Sequence, residues 1–255
     1  ATLAEDAICF GSVESNVLLA DVAEGAPARA LGTMFQASPM GWMYLKGNAV
    51  KTFTDLADAR VGIHSDGRRV LKLLLNRAGA EVSGLETFKA SHDPGLLLAG
   101  EADALQCYYI DEFVKLEQEV GDRAGIFLAK DHGYNAYSQV MFTHASTVRE
   151  NPEVVRAFLK ATKAGWRYAF EHPGETVDLI LAKYNPELDR TYQLRSLAKI
   201  EELMVPAPGA LFRPIDPEVL EKGQTRLFEQ GLIERKVDLG ELLAQQFLPE
   251  TVAED

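Results

Sequence analysis

Short apolar runs alternate with stretches of helical spacing through the first half of the chain, and the pattern changes in the last hundred residues. Ala7-Ile8-Cys9-Phe10 predicts a buried strand. Glu14 to Glu24 carries Val17, Leu18 and Val22 at helical intervals, and Gly25-Ala26-Pro27 stops the helix they predict. Arg29 to Phe35 is the next strand, so the chain opens as β-α-β. Val61-Gly62-Ile63 predicts another strand. Ser65-Asp66-Gly67 then opens a helix whose apolar face is Val70, Leu71, Leu74 and Leu75, with Gly79 as its left-handed cap. Leu85 to Phe88, Ala102 to Cys107 and Ile126 to Leu128 are further strands. A short helix after Asp93-Pro94, closed at Gly100, and a helix from Asp111 to Gly121 separate them. Strands spaced by helices predict mostly parallel sheets covered on both faces.

Ser138 to Thr143 is one more strand, and helices follow it. Asn151-Pro152-Glu153 starts the first, backed by Val155, Phe158, Leu159 and Trp166, and His172-Pro173 ends it. Val177, Ile180, Leu181 and Tyr184 predict the next, ended by Asn185-Pro186. Asp216-Pro217-Glu218 opens another over Val219, Leu220, Leu227 and Phe228, with Gly231 as its stop. Asp238 caps a final helix ending near Phe247-Leu248-Pro249. The apolar run Trp42-Met43-Tyr44-Leu45 and the strand at Ser138 predict two extended crossings, near Tyr44 and near Gln139. They divide the chain into an outer lobe (residues 1–46 and 139–255, the latter mostly helical) and a middle lobe (residues 47–138). Two lobes joined by a two-strand hinge place the ligand in the cleft between them.

Composition narrows the class. The 255 residues are 47% hydrophobic with a formal net charge of -12. That charge argues against a nucleic-acid partner and against an electropositive membrane-binding face. No apolar run approaches the roughly 20 residues that span a bilayer. The sequence opens at Ala1-Thr2-Leu3 without a signal peptide, reading as a mature or truncated chain whose export stays open. Cys9 and Cys107 have no Cys-x-x-Cys or zinc spacing. Both lie in strand-like apolar runs, where a free thiol behaves as a small buried hydrophobe; a disulfide between them stays open.

Candidate ligand contacts cluster at strand ends. Gly11 to Asn16 reads as a loop entering a helix, where exposed N–H groups favour a polar or anionic group. Ser12 and Glu14 are its candidates, with plain capping by Ser12 or Ser15 as the ordinary alternative. Ser65 and Asp66, after His64, form the same kind of turn in the middle lobe, and Gly67 admits close backbone approach. Ser38 and Pro39 end one strand, Tyr108, Tyr109 and Glu112 follow another, and Tyr134 and Tyr137 precede the second crossing. Tyrosines offer stacking faces and hydroxyls to a planar ring, with the packing of two or three of the four in the hinge as the ordinary alternative. The ordinary role of Glu112 is that of a solvated helix residue. The five histidines are far apart in sequence, and none pairs with an acid at metal-ligand spacing. Gly-x-Ser-x-Gly and P-loop motifs are absent. No catalytic residue, metal or cofactor is expected.

Phe35-Gln36-x-Ser38-Pro39, Thr54-Asp55-Leu56-x-x-x-Arg60-Val61-Gly62-Ile63 and Gly100-x-x-Asp103-Ala104 occur in an order that resembles the NMT1/THI5-like branch of the periplasmic solute-binding proteins. Asn151-Pro152-Glu153 with Phe158, and Gly165-Trp166-x-Tyr168-Ala169-x-x-His172-Pro173, extend the resemblance to most of the chain. It implies an α/β, type II periplasmic-binding fold. It also implies an extracytoplasmic, monomeric protein that captures a small organic solute, such as a pyrimidine thiamine precursor or a sulfonate, for an ABC permease. Family members start with about two further elements, so the outer lobe is expected to lack a strand and a helix. Similar domains also serve as sensors fused to histidine kinases or diguanylate cyclases, and the Trp166 to Tyr184 segment resembles those. An enzymatic relative, the eukaryotic pyrimidine synthase, carries a cysteine-rich run where this chain reads Gly133-Tyr134-Asn135-Ala136-Tyr137. Its histidine donor falls on Val17. The resemblance therefore favours binding over turnover.

Overall fold

Each sheet has one strand that runs against the rest. The computed structural model describes residues 8–64, 67–90, 92–134, 136–205 and 211–249. They fall into two units: Ala1–Ser38, Asn135–Pro173 and Glu201–Asp255 form unit 1, and Pro39–Tyr134 and Gly174–Ile200 form unit 2. The architecture is mixed α/β.

Unit 1 begins with β1 (Phe10–Val13), α1 (Ser15–Ala23) and β2 (Ala28–Phe35). In unit 2, β3 (Met40–Leu45), β4 (Arg60–Ile63), α2 (Gly67–Arg77), β5 (Glu86–Lys89) and α3 (Gly95–Leu98) are followed by β6 (Ala104–Tyr108), α4 (Glu112–Val120) and β7 (Ala124–Leu128). The chain returns to unit 1 with β8 (Ser138–His144), α5 (Ala145–Glu150) and α6 (Pro152–Glu171). Then come α7 (Pro173–Lys183), α8 (Arg190–Met204), α9 (Pro217–Glu229) and α10 (Leu239–Leu242). Tyr44 thus lies inside β3 and Gln139 inside β8.

In unit 1 the strand order is β1-β8-β2, and β8 is antiparallel to both neighbours, so β1 and β2 run the same way. The first strand starts at Phe10, later than the apolar run suggests; Ala7 lies outside the described residues. Gly11 pairs with Phe142, and a Cβ at Gly11 would come within 2.7 Å of the Phe142 ring. Only glycine lets the ring lie there, so Gly11 to Val13 form a strand rather than the loop inferred from the sequence. Leu18 and Leu19 of α1, Val140 and Phe142 of β8 and Leu220 of α9 share one core. Phe158 of α6 stacks on Phe10 with centroids 3.8 Å apart.

The unit 2 order is β5-β4-β6-β3-β7. β4 is parallel to β5 and β6, while β3 is antiparallel to β6 and β7, so every strand but β3 runs one way. Trp42, Val61, Leu71, Leu74 and Leu75 meet in the core on one face. The amphipathic stripe of α2 supplies the leucines. Thr52 and Asp55 close a capping box on the turn at Phe53–Asp58. The Asp55 carboxylate accepts from the backbone N–H of Thr52 at 2.7 Å and of Lys51 at 2.8 Å, which lowers its pKa.

Two C-terminal features depart from the sequence expectation. Helix α8 was not foreseen, although Asp189 marks its start by accepting from Tyr192 N at 2.6 Å. Its first part packs with unit 2: the Tyr192 hydroxyl donates to Asp111, Ser196 Oγ donates to Ile110 O at 2.5 Å, and Lys199 pairs with Glu117 at 3.1 Å. The helix capped by Asp238 stops at Leu242 instead of running to Phe247. Leu243 turns extended and bridges to Ala30, and Ala244 N donates to Ala30 O at 2.8 Å. Sheet-edge pairing outcompetes the last helical turn.

His132 gives a pH-dependent stability. Its ring stacks on Phe53 with centroids 3.7 Å apart. Burial lowers its pKa from the ordinary 6.5, and neighbouring Asp131 opposes this only partly. A depressed folded value means the unfolded chain binds the proton more readily. The stabilisation should be complete above about pH 6.5 and be lost as pH falls through the lowered folded value. Urea midpoints at pH 7.5 and pH 5 should converge when His132→Phe is made; an unchanged gap would show that other groups carry it.

Candidate functional site

The parallel strands of unit 2 deliver their C-terminal ends side by side, where ligands of open α/β sheets bind. His64 follows β4 directly, Tyr108 ends β6, and Glu112 is the first residue of α4. Glu112 is only 2% exposed. Its Oε2 accepts from Tyr108 N at 2.8 Å, and its Oε1 lies 2.5 Å from His92 Nδ1. This corrects the picture of Glu112 as a solvated helix residue and of histidines remote from any acid. Sequence separation hid the pairing, because adjacent strand ends are distant along the chain. The His64 and His92 rings lie 4.4 Å apart at 49°. His64 N donates to the buried amide Oε1 of Gln106 at 3.0 Å, and Gln106 Nε2 donates to Met40 Sδ at 3.4 Å. Cys107, also on β6, is a free buried thiol. Burial raises its pKa well above the ordinary value, and the Glu112 charge adds to this. Cys9, in unit 1, is likewise free.

Unit 1 has its own polar set at the start of α1. Ser12 Oγ donates to Gln139 Oε1 at 2.6 Å, and the Ser138 hydroxyl donates to the Glu14 carboxylate. Thr33 Oγ1 lies 2.9 Å from both Phe35 O and Ser138 O. Gln139 has φ 56, a left-handed conformation rare for a side-chain-bearing strand residue. Ser38 is buried within unit 1.

The tyrosines divide between exposure and packing. Tyr108 is 41% exposed. Tyr109 stacks on Phe113 at 5.8 Å, with Lys199 Nζ 4.0 Å from its ring centroid, and its N–H donates to Pro39 O at 2.8 Å. Tyr134 packs against the core of unit 2. Tyr137 is buried in unit 1, and its hydroxyl accepts from Asp216 N at 3.1 Å. Burial raises its pKa. Ser65 and Asp66 lie outside the described residues. The sequence reading gives His64 no role beyond opening the turn at Ser65 and Asp66, and it misses His92, Gln106 and Gln139. Applying the strand-end rule to β4, β5 and β6 together would have brought His64 and His92 together. Gln139 has no sequence signal, because its conformation arises from sheet pairing.

A notch of about 290 Å³ in unit 1 lies beside Gly25, Arg29, Arg235, Lys236 and Asp238. Arg235 Nε already donates to Ala23 O at 2.8 Å, and Lys236 pairs with Glu221 at 2.9 Å. Those two cations are engaged by the chain's own groups. Among the described residues, no helix is long and apolar enough to cross a membrane.

The sheet orders and strand directions are those of the type II periplasmic-binding fold. The same fold is seen in the periplasmic aliphatic sulphonate-binding protein of Escherichia coli, with TM-score 0.69 and 15% identity over 93% of this chain and 80% of that one. The family model described as NMT1/THI5 like matches residues 1–176, and the chain belongs to that family. It is 26% identical over 246 residues to the 4-amino-5-hydroxymethyl-2-methylpyrimidine phosphate synthase of Legionella pneumophila, covering 91% of this chain and 73% of the relative. It is 25% identical over 114 residues to the formylaminopyrimidine-binding protein of Halalkalibacterium halodurans, covering 44% of this chain and 34% of the relative.

Proposed function

We propose that the chain captures a small aminopyrimidine-like solute and releases it unaltered, outside the cytoplasm, to an ABC permease. The observation that carries this reading is the pair of carboxylates at the strand-end sets, Glu14 in unit 1 and Glu112 in unit 2. A sulfonate needs cations and N–H donors, whereas these groups accept hydrogen bonds and suit an exocyclic amino group. The exposed Tyr108 ring supplies a stacking face. The pyrimidines in the names of both curated relatives support the same class. Tyr108, Tyr109 and Glu112 are the proposed contacts in unit 2. Tyr134 and Tyr137 serve packing.

Thermal unfolding with aminopyrimidines, formylaminopyrimidines and alkanesulfonates tests the class. A pyrimidine at 100 times its dissociation constant should stabilise by about 2.7 kcal/mol, with no response to sulfonates. Stabilisation by sulfonates alone would overturn the reading. The relation to the Legionella pneumophila synthase favours a second reading, turnover to a pyrimidine. Mass spectrometry of the bound solute after long incubation separates the two: unaltered solute supports capture, and a new product supports turnover.

A further inference from the structure

We propose that His64, His92 and Glu112 form a binding site for a divalent transition-metal cation of the zinc type. One ligating atom from each residue falls within a set whose members all lie within 4.8 Å of one another. Two imidazole nitrogens and one carboxylate are the donor set that zinc takes in open sites, where three protein ligands leave one position for water or a solute. Calcium and magnesium instead prefer all-oxygen surroundings. Ligands around a tetrahedral zinc sit about 3.3 Å apart, given metal–ligand distances near 2.0–2.1 Å. The His92–Glu112 contact at 2.5 Å must therefore open slightly, and His64 must close in.

The competing account is a plain hydrogen bond between His92 and Glu112. It explains those two residues and leaves the third without a role. His64 Nε2 is buried, with no hydrogen-bond partner among the described residues. A cation would take up that lone pair and give the buried Glu112 carboxylate a counter-charge. The supporting groups are also in place. Tyr108 N fixes one carboxylate oxygen at 2.8 Å, and Gln106 fixes the His64 backbone at 3.0 Å. Such outer partners orient ligands and sharpen affinity. Gly67 leaves the room that Gln106 occupies, since a Cβ there would lie 2.5 Å from the Gln106 Cδ.

The test is calorimetric titration of chelator-treated protein with zinc chloride, and of a second sample with cobalt chloride followed by visible absorption. One equivalent should bind, and cobalt should show the bands of a four-coordinate ion. His92→Asn should weaken binding by about tenfold or more. Its side chain is 73% exposed, so the fold survives the change. Glu112→Gln should weaken binding similarly, and His172→Asn, in unit 1, should leave it unchanged. No zinc binding, or binding indifferent to His92→Asn, overturns the proposal. Because no organic solute is present, failure here leaves the solute reading standing, whereas a bound cation would take the Glu112 carboxylate out of the proposed solute contacts.

Discussion

Trp42→Ala should lower the unfolding free energy of unit 2 by about 3 kcal/mol, even though it removes a buried donor that has no partner. Trp42 is 0% exposed, and its ring lies 5.7 Å from Phe53 within the core that α2 covers. Deleting a large buried aromatic costs about 3–5 kcal/mol, from lost burial plus the cavity left behind. The indole N–H has no partner among the described residues, a burden of about 1–3 kcal/mol that the deletion relieves. The cavity effect wins, which places the net loss at the lower end. Trp42→Phe separates the two contributions, because it keeps most of the apolar volume and loses the orphan donor. It should cost less than about 1.5 kcal/mol. Urea unfolding followed by far-UV circular dichroism reads both variants. An alanine variant within about 1 kcal/mol of the parent would mean that this core collapses around the gap.

Helices α2 to α4 of unit 2 were legible in sequence because they obey local rules. The stripe of α2, the stops at Gly79 and Gly100 and the acid starting α4 need no long-range partner. The errors fall where a distant strand decides. Gly11 to Val13 are strand and not loop because Gly11 pairs beside Phe142, and the final helix ends early because Ala244 bonds to Ala30. The candidate site divides in the same way. Tyr108 and Glu112 follow one strand, and the sequence marks them as neighbours. His64 and His92 join them only once the order β5-β4-β6 is known. Local pattern predicts strands well but leaves their order open, and side-by-side strand ends depend on that order.

Gly67→Ala should destabilise unit 2 by about 2 kcal/mol, against the direction that helix propensity gives. Alanine is the better helix former by about 1 kcal/mol in a helix interior. Gly67 begins α2 with a φ outside the left-handed region, so propensity alone predicts a gain. Space predicts the opposite, because the added Cβ would collide with the buried Gln106 amide. Gln106 cannot swing aside freely: its Oε1 accepts from His64 N at 3.0 Å and its Nε2 donates to Met40 Sδ at 3.4 Å. Overpacking of this kind costs about 1–3 kcal/mol, and moving the amide also strips His64 N–H of its acceptor. The clash and the lost bond together exceed the propensity gain. A double-mutant cycle makes the cause explicit. Gln106→Ala alone should destabilise by leaving His64 N–H unpaired, but in that background the alanine at 67 has room. The two changes together should then cost at least 1 kcal/mol less than the sum of the single changes, within the about 0.5–3 kcal/mol range of contacting pairs. Strict additivity in urea unfolding would show that Gly67 is needed for some reason other than the space it leaves to Gln106.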